Sequence, residues 1–442
     1  MKFQHYRRIH LLVRGLVACS ILYWFLGHIS RYSRVRHSPP IESITIPEIA
    51  STSDTSNYIK TNPTIQTGNT LTSGRQTRRP SKPTASAHKE TLMPILFKKD
   101  FSKVPVWDFE EIYVQDIQTR QTTCPRSLQH TEDFGFKHAF IPNVQLFMHK
   151  DHLNVSEWNR LAHFNNPFGF MEYNYSEVKA AVDRIPEDSI PFMAQGDPTR
   201  CVRCAVVANG GILNGSGMGK EIDAHDYVFR MNGAVIQGFE EDVGKRTSVY
   251  VHTAFSITAS PLLFKDFGYK SVPHDEGIKY VMIPEGLADY QWLDGLFAKT
   301  AISSGLYQSI QPWTYYAGQF DERRFYVLHP DFLRYIRNRF LKSEFLNEEN
   351  WAIVRPSNGA ITLFLALHTC DVVDAYGFIT EDHSKYSNYY FERHKKTSII
   401  FFVNHDYNLE MKTWKRLHDA KIIILYQRRE ESGRGTSDAP IL

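Results

Sequence analysis

The feature that most constrains the fold is a short apolar run that leads directly into a glycine-rich loop. Residues 205–208 suit a buried parallel strand, and residues 209–220 (NGGILNGSGMGK) follow them. A second strand-like run, 227–231, comes after a short helical stretch. This layout is typical of nucleotide sites, because bare backbone N–H groups can approach a phosphate closely. The pattern predicts an α/β domain with a ligand beside the loop; a tight turn without a ligand is the alternative.

The common nucleotide-binding motifs do not fit this loop. A P-loop needs glycine and Ser/Thr where this chain has Asn214 and Glu221. A dinucleotide G-x-G-x-x-G fails at Lys220, and the second strand ends at Asn232 rather than at an acidic residue that would bind an NAD ribose. An NAD-dependent oxidoreductase is therefore a disfavoured alternative.

Apolar runs and helix-like stretches alternate through the rest of the chain. This alternation predicts a mostly parallel central sheet flanked by helices, in one Rossmann-like domain. The further predicted strands are 280–283, 325–328, 372–378, 399–403 and 422–426.

Two segments downstream of the loop carry candidate chemistry. Ser357 and Asn358 can cap a buried helix over 360–369, whose N-terminus could receive an anion or could simply be a capped core helix. His405 follows the predicted strand 399–403, at the edge where parallel sheets bind ligands. Asn408 can cap the next helix, which runs to about His418, has Glu410 near its start and turns Leu409, Trp414 and Leu417 inward. The chain has no D-x-D pair, which is the motif that binds manganese in many sugar-nucleotide transferases.

The first hundred residues have a different character from the remainder. They carry 15 Lys and Arg against 5 Asp and Glu, whereas the remainder carries 36 against 43. The overall charge of +3 is too balanced to suggest a protein that binds nucleic acid. Residues 11–29 are apolar apart from Arg14 and His28 and are long enough to span a bilayer. A cleaved signal peptide is the alternative, but the small residues of a cleavage site are missing. Residues 38–92 are rich in Ser, Thr and Pro and should form an extended tether.

Sequons and cysteines favour a lumenal location for the C-terminal part. Asn154 and Asn174 begin sequons, and a third at Asn214 lies inside the glycine loop, where we do not expect glycosylation. One cysteine lies in the apolar segment, and the other four are an even number that favours two disulfides over a zinc or redox site, with three pairings open. Those four are Cys124, Cys201, Cys204 and Cys370.

Taken together, these segments resemble the animal sialyltransferase family in motif, order and spacing over residues 100–428. The glycine-loop region resembles most closely the α2,6-sialyltransferases that modify N-acetylgalactosamine (GalNAc) on Ser/Thr-linked glycans. The four matching segments are the long motif 204–251, the short motif 355–379, the third motif 389–392 and the very short motif 405–410.

The resemblance implies a single-domain variant of the GT-A fold that uses CMP-sialic acid as donor and no metal or other cofactor. It implies a type II Golgi membrane protein that acts on GalNAc-bearing glycoproteins and does not bind nucleic acid. The corresponding organisation is a cytoplasmic tail over 1–10, a transmembrane anchor over 11–29, a disordered stem over 30–100 and a lumenal catalytic domain over 101–442.

The resemblance also implies roles for individual residues. His405 would be the general base, and Glu410 and Tyr390 would support the site. It pairs Cys204 with Cys370 and Cys124 with Cys201. The residues expected to bind the donor are Asn209, Asn232, Ser357, Asn358, Gly359 and Tyr389.

Two of these residues depart from the family pattern. Asn358 stands where Thr is usual, and Tyr389 stands where His is frequent; tyrosine can donate a hydrogen bond but carries no positive charge at neutral pH. These departures prompt one alternative, a sialoglycan-binding relative without catalysis, which His405 and Glu410 argue against. A sialyltransferase that acts on galactose is the other alternative.

Overall fold

The computed structural model describes residues 90–116, 121–187, 189–193, 200–393 and 396–428. The predicted tail, the anchor and nearly all of the stem lie outside these residues. Within them, no helix has the length and apolar character to cross a membrane. Residues 90–100, which we assigned to the stem, pack against the domain: the Met93 N–H donates to Asn159 Oδ1 at 2.7 Å, and Leu96 lies against the apolar cluster around Trp351.

The described residues form one eight-stranded sheet with helices around it. In chain order the strands are β1 (Phe147–Met148), β2 (Arg203–Val207), β3 (Tyr227–Met231), β4 (Val249–His252), β5 (Lys279–Met282), β6 (Phe325–Leu328), β7 (Val372–Tyr376) and β8 (Ile423–Leu425). The spatial order is β1-β6-β5-β4-β3-β2-β7-β8. Only β1, at the edge, is antiparallel to its neighbour. The predicted mostly parallel sheet is confirmed.

Ten α-helices connect or flank these strands in the described part of the chain. They are α1 (Phe134–Ala139), α2 (Val155–Leu161), α3 (Tyr175–Val182), α4 (Gly219–Asp223), α5 (Glu240–Val243), α6 (Ala254–Leu263), α7 (Leu287–Ala298), α8 (Pro330–Arg339), α9 (Asn358–Thr369) and α10 (Tyr407–Asp419). Helices on the faces of the sheet explain why its strands read as continuous apolar runs, since β4, β6 and β7 are buried along their whole length.

Helix α9 sets the position of the site. It contacts β2, β3 and β7, which straddle the point where the strand order reverses. Parallel sheets bind ligands at such a point, outside the carboxyl ends of the strands. The Cys204–Cys370 disulfide joins the C-terminal end of α9 to the start of β2. It therefore lies at the amino-terminal ends of the strands, away from the carboxyl ends where the site is. The second disulfide joins Cys124 to Cys201, so both predicted pairings are present.

One predicted strand is wrong. Residues 399–403 form an irregular loop, and β8 takes the place beside β7 instead. An apolar run does not by itself determine which segment obtains a sheet edge, because pairing is a tertiary contact. His405 therefore follows a loop, not a strand. The predicted cap of α10 is also wrong, since Asp406 Oδ1 accepts from the Leu409 N–H at 2.9 Å and Asn408 lies inside the helix.

The sequon asparagines occupy contrasting positions. Asn154 and Asn174 are exposed N-caps of α2 and α3. Asn214 is half-buried, and its Nδ2 donates to the Tyr390 carbonyl oxygen at 2.7 Å. Glycosylation of Asn154 and Asn174 stays a prediction, and the contact of Asn214 gives a reason to expect none there.

Candidate functional site

His405 lies in the turn before α10, with its two ring nitrogens in different surroundings. Nδ1 is 2.9 Å from the carbonyl oxygen of Arg355, which can only accept a hydrogen bond. Nδ1 therefore carries the proton, and Nε2 keeps its lone pair. The neighbouring Asn404 Nδ2 lies 3.2 Å from Nε2 and can donate to it. This arrangement fixes the tautomer that a general base needs.

Its surroundings keep the imidazole neutral. Burial, together with the nearby Arg355 guanidinium, lowers the pKa of His405 to about 4. The ring is thus unprotonated at any pH well above 4. A lone pair is available on Nε2 without prior loss of a proton.

Arg355 holds this turn through its backbone and its side chain. Its N–H donates to the Asn404 carbonyl oxygen at 3.0 Å, next to the contact of its own carbonyl with His405. Its guanidinium makes two 3.1 Å hydrogen bonds to the carboxylate of Glu285, which follows β5. Neither residue is among those that the sequence predicts for the site. Arg355 opens the short motif, which was a usable signal, whereas nothing in the local sequence marks Glu285.

Ser357 and Glu410 join the starts of α9 and α10. The Ser357 hydroxyl accepts from the Ala360 N–H at 3.1 Å as the predicted N-cap and donates to Glu410 Oε2 at 2.7 Å. The Ser357 N–H donates to Glu410 Oε1 at 2.7 Å. Burial raises the pKa of the Glu410 carboxyl to about 7. The N–H and the hydroxyl of Ser357 therefore both have protein partners. These contacts orient the start of α9 relative to α10.

The next two residues leave donors at the helix start. Within the described ranges, the N–H groups of Asn358 and Gly359 have no protein acceptor, as is normal for the first residues of a helix. A Cβ built on Gly359 would meet only Ser357 Oγ at 3.5 Å and Phe378 at 3.7 Å, so packing alone does not require glycine there. The positive end of the α9 dipole adds to the attraction for an anion.

Three asparagines meet beside this helix start. Asn358 Nδ2 donates to Asn232 Oδ1 at 2.9 Å, and Asn209 Nδ2 donates to the Met231 carbonyl oxygen at 3.3 Å. Asn232 has φ +54°, a left-handed conformation that Asn tolerates better than most residues. Among the described residues, the Oδ1 atoms of Asn209 and Asn358 are buried without a hydrogen-bond partner. Such acceptors are costly unless a ligand or water satisfies them.

Tyr389 and Tyr390 support the turn after β2. Tyr389 forms a backbone bridge with Gly210, and its ring stacks on Phe391 with centroids 5.0 Å apart. The Tyr390 N–H donates to the Asn209 carbonyl oxygen at 3.1 Å, and its hydroxyl donates to the Val235 carbonyl oxygen at 2.6 Å. The structure thus brings the third motif onto Asn209 and Gly210.

The glycine loop corrects part of our expectation. The N–H groups of Gly215 and Gly217 donate to the Asp242 carboxylate at 2.7 and 3.0 Å, so the protein itself occupies these donors. Gly210 and Gly211 are required by packing, because a Cβ would lie 2.4 Å from the Gly377 carbonyl oxygen and 2.0 Å from that of Ser387. The prediction that this loop offers its N–H groups to a phosphate is wrong for Gly215 and Gly217.

The described segments contain no group of three or more His, Cys, Asp or Glu side chains arranged to hold a metal ion. Independence from metal stays a prediction for experiment.

Comparisons with known proteins agree with the motifs. The family described as "Glycosyltransferase family 29 (sialyltransferase)" matches residues 147–422. The chain is 44% identical over 355 residues to Alpha-N-acetylgalactosaminide alpha-2,6-sialyltransferase 1 of Gallus gallus, a match that covers 78% of this chain and 62% of the relative. It is 47% identical over 348 residues to the protein of the same name in Homo sapiens, covering 77% and 57%. The matched region thus spans about three-fifths of each relative's length.

A solved structure resembles the fold. "Crystal Structure of a Mammalian Sialyltransferase" aligns with a TM-score of 0.52 and 23% sequence identity. The alignment covers 70% of this chain and 100% of that one. At this identity the likeness concerns the architecture alone.

Proposed function

Because the chain belongs to glycosyltransferase family 29, the sialyltransferases, we propose that it transfers sialic acid from CMP-sialic acid to the 6-hydroxyl of GalNAc O-linked to Ser or Thr. The observation that carries the proposal is the neutral His405, whose Nδ1 is held 2.9 Å from the Arg355 carbonyl oxygen, so that Nε2 carries the lone pair and has only the Asn404 amide beside it. The names of the chicken and human relatives support the choice of acceptor and linkage.

The acceptor hydroxyl is activated by His405. As the 6-hydroxyl oxygen attacks the anomeric carbon of sialic acid, its proton passes to Nε2. The bond between that carbon and the CMP phosphate oxygen breaks on the opposite face, which inverts the configuration. General-base assistance of this kind contributes ~10²- to 10⁴-fold in rate.

The departing phosphate needs stabilisation of its growing negative charge. The free N–H groups of Asn358 and Gly359, at the positive end of α9, are suited to this role. The unpartnered amide oxygens of Asn209 and Asn358 can accept hydrogen bonds from hydroxyl or amino groups of the donor. Tyr389 remains a proposed donor contact. These contacts make the reaction metal-independent in our proposal.

The cellular setting is also part of the proposal. We infer a GT-A-variant domain on a stem, held in the Golgi membrane as a type II protein by residues 11–29. The two disulfides support an oxidising lumenal location for the domain.

The test uses the full chain in detergent with CMP-sialic acid. A GalNAc-bearing peptide and a galactose-terminated glycan serve as parallel acceptors, each with and without EDTA, and the linkage is read by NMR. We expect α2,6-sialylated GalNAc peptide in both conditions. Product on galactose alone would transfer the proposal to the other acceptor class, and glycan binding without product would indicate a non-catalytic relative. Loss of product with EDTA would disprove metal independence.

A further inference from the structure

The loop that precedes His405 exposes an unusual amount of apolar surface. We call residues 399–403 the apolar loop. Within it, the side chains of Ile400, Phe401 and Phe402 are 58%, 49% and 48% exposed. Single exposed apolar residues are common and need no explanation, whereas a contiguous exposed apolar patch usually indicates an interaction surface. The loop ends one residue before Asn404 and two before the proposed base.

A row of aromatic rings connects this loop to the base. The ring of Tyr407 lies 5.8 Å from that of His405, and the ring of Phe401 lies 5.3 Å from that of Tyr407, both in edge-to-face arrangements. The ring of His383 also contacts Phe401, with the two centroids 5.6 Å apart. Phe401 is therefore packed against two rings, one of which contacts the ring of His405, and still is half exposed.

We propose that the apolar loop and the ring of Tyr407 bind the peptide that carries the GalNAc, a contact that rests on the proposed function. When the 6-hydroxyl reaches His405 Nε2, the glycosidic oxygen of the same sugar lies on the far side of one pyranose ring. The peptide then begins about one sugar ring from His405; the ring of Tyr407 lies 5.8 Å from His405, and the ring of Phe401 is the next one beyond it.

The chemistry of the surface indicates which peptides fit. O-glycosylated segments are rich in Ser, Thr and Pro and adopt extended, polyproline-like conformations. Exposed aromatic rings are the usual partners of such segments, because the flat proline ring packs on them and little conformational entropy is lost. The apolar loop should therefore favour acceptors with proline or aliphatic residues beside the glycosylated Thr.

The experiment compares two acceptors with the full chain and the Phe401→Ser variant. One acceptor is a GalNAc-Thr peptide with flanking Pro and Val, and the other is the α-methyl glycoside of GalNAc. We expect kcat/KM to fall roughly three- to ten-fold for the peptide and by clearly less for the methyl glycoside, with an unchanged KM for CMP-sialic acid. The matched control is Leu262→Ser in α6, which removes a side chain that is 79% exposed and should leave both acceptors unaffected.

Each other outcome has a defined meaning. An equal loss on both acceptors, or no loss on the peptide, would overturn the inference. So would a Phe401→Ser variant that changes only vesicle binding or oligomeric state, since the surface would then serve a membrane or a second copy. Thermal melting of both variants verifies folding. If the unaltered chain sialylates neither acceptor, the proposed function fails instead.

Discussion

The variant Glu410→Gln tests whether a buried, protonatable carboxylate links α9 to α10. Glu410 is only 5% exposed, and both its oxygens accept hydrogen bonds from Ser357. Its pKa is raised from 4.5 to about 7 by burial. The unfolded chain ionises this group near pH 4.5, whereas the folded chain keeps the proton until about pH 7. Stability is therefore full below 4.5 and decreases as pH rises to 7.

The size of this effect follows from the shift. At ~1.4 kcal/mol per pKa unit, the rise costs about 3 kcal/mol at pH 8. Glutamine does not ionise, so the variant loses this pH dependence. Its amide oxygen can still accept from the Ser357 N–H, although its amide nitrogen must donate to the hydroxyl that previously donated to Glu410. We therefore expect the stability of Glu410→Gln minus that of the native chain to increase as the pH rises from 5 to 8.

The assay is thermal unfolding of both proteins from pH 5 to pH 8 at constant ionic strength. The difference in Tm should change in favour of the variant as pH rises. Asp419→Asn, at the exposed end of the same helix, is the control and should show no comparable trend. A difference that is constant with pH, or that changes in the native chain's favour, would refute the argument.

The remaining predictions concern catalysis, the helix start and the disulfides. His405→Ala should lower kcat by ~10²- to 10⁴-fold with little change in CMP binding, measured by steady-state kinetics and calorimetry, and near-normal turnover would rule out the base assignment. In the native enzyme, the low pKa of His405 predicts that base function is retained until pH approaches 4. Gly359→Ala should fold normally, because its Cβ has room, yet bind CMP more weakly; unchanged affinity would argue against phosphate contact there. Replacing Cys204 and Cys370 by serine should cost about 2–5 kcal/mol of stability, and a non-reducing peptide map of the native chain showing both thiols free would contradict the pairing.

Some features of this protein could be predicted from local sequence. The strands β3 and β6 and the helix α9 with its Ser357 cap agree with their patterns, since a buried strand and an N-cap depend on neighbouring residues. The motif resemblance correctly named the family and both disulfides. It also named the three asparagines and His405, which the fold brings to one edge of the sheet.

Other features depended on tertiary structure alone. The run 399–403 has the composition of a buried strand, but β8 is the segment that pairs with β7, and Ile400, Phe401 and Phe402 are exposed. The glycine loop resembles a phosphate cradle, but Asp242 occupies its donors. The hydrogen bonds between Glu285 and Arg355 join residues that are 70 positions apart, and the one between Arg355 and His405 joins residues that are 50 positions apart. Composition and periodicity describe a segment's own preferences, whereas these contacts depend on which distant segment the folded chain places beside it.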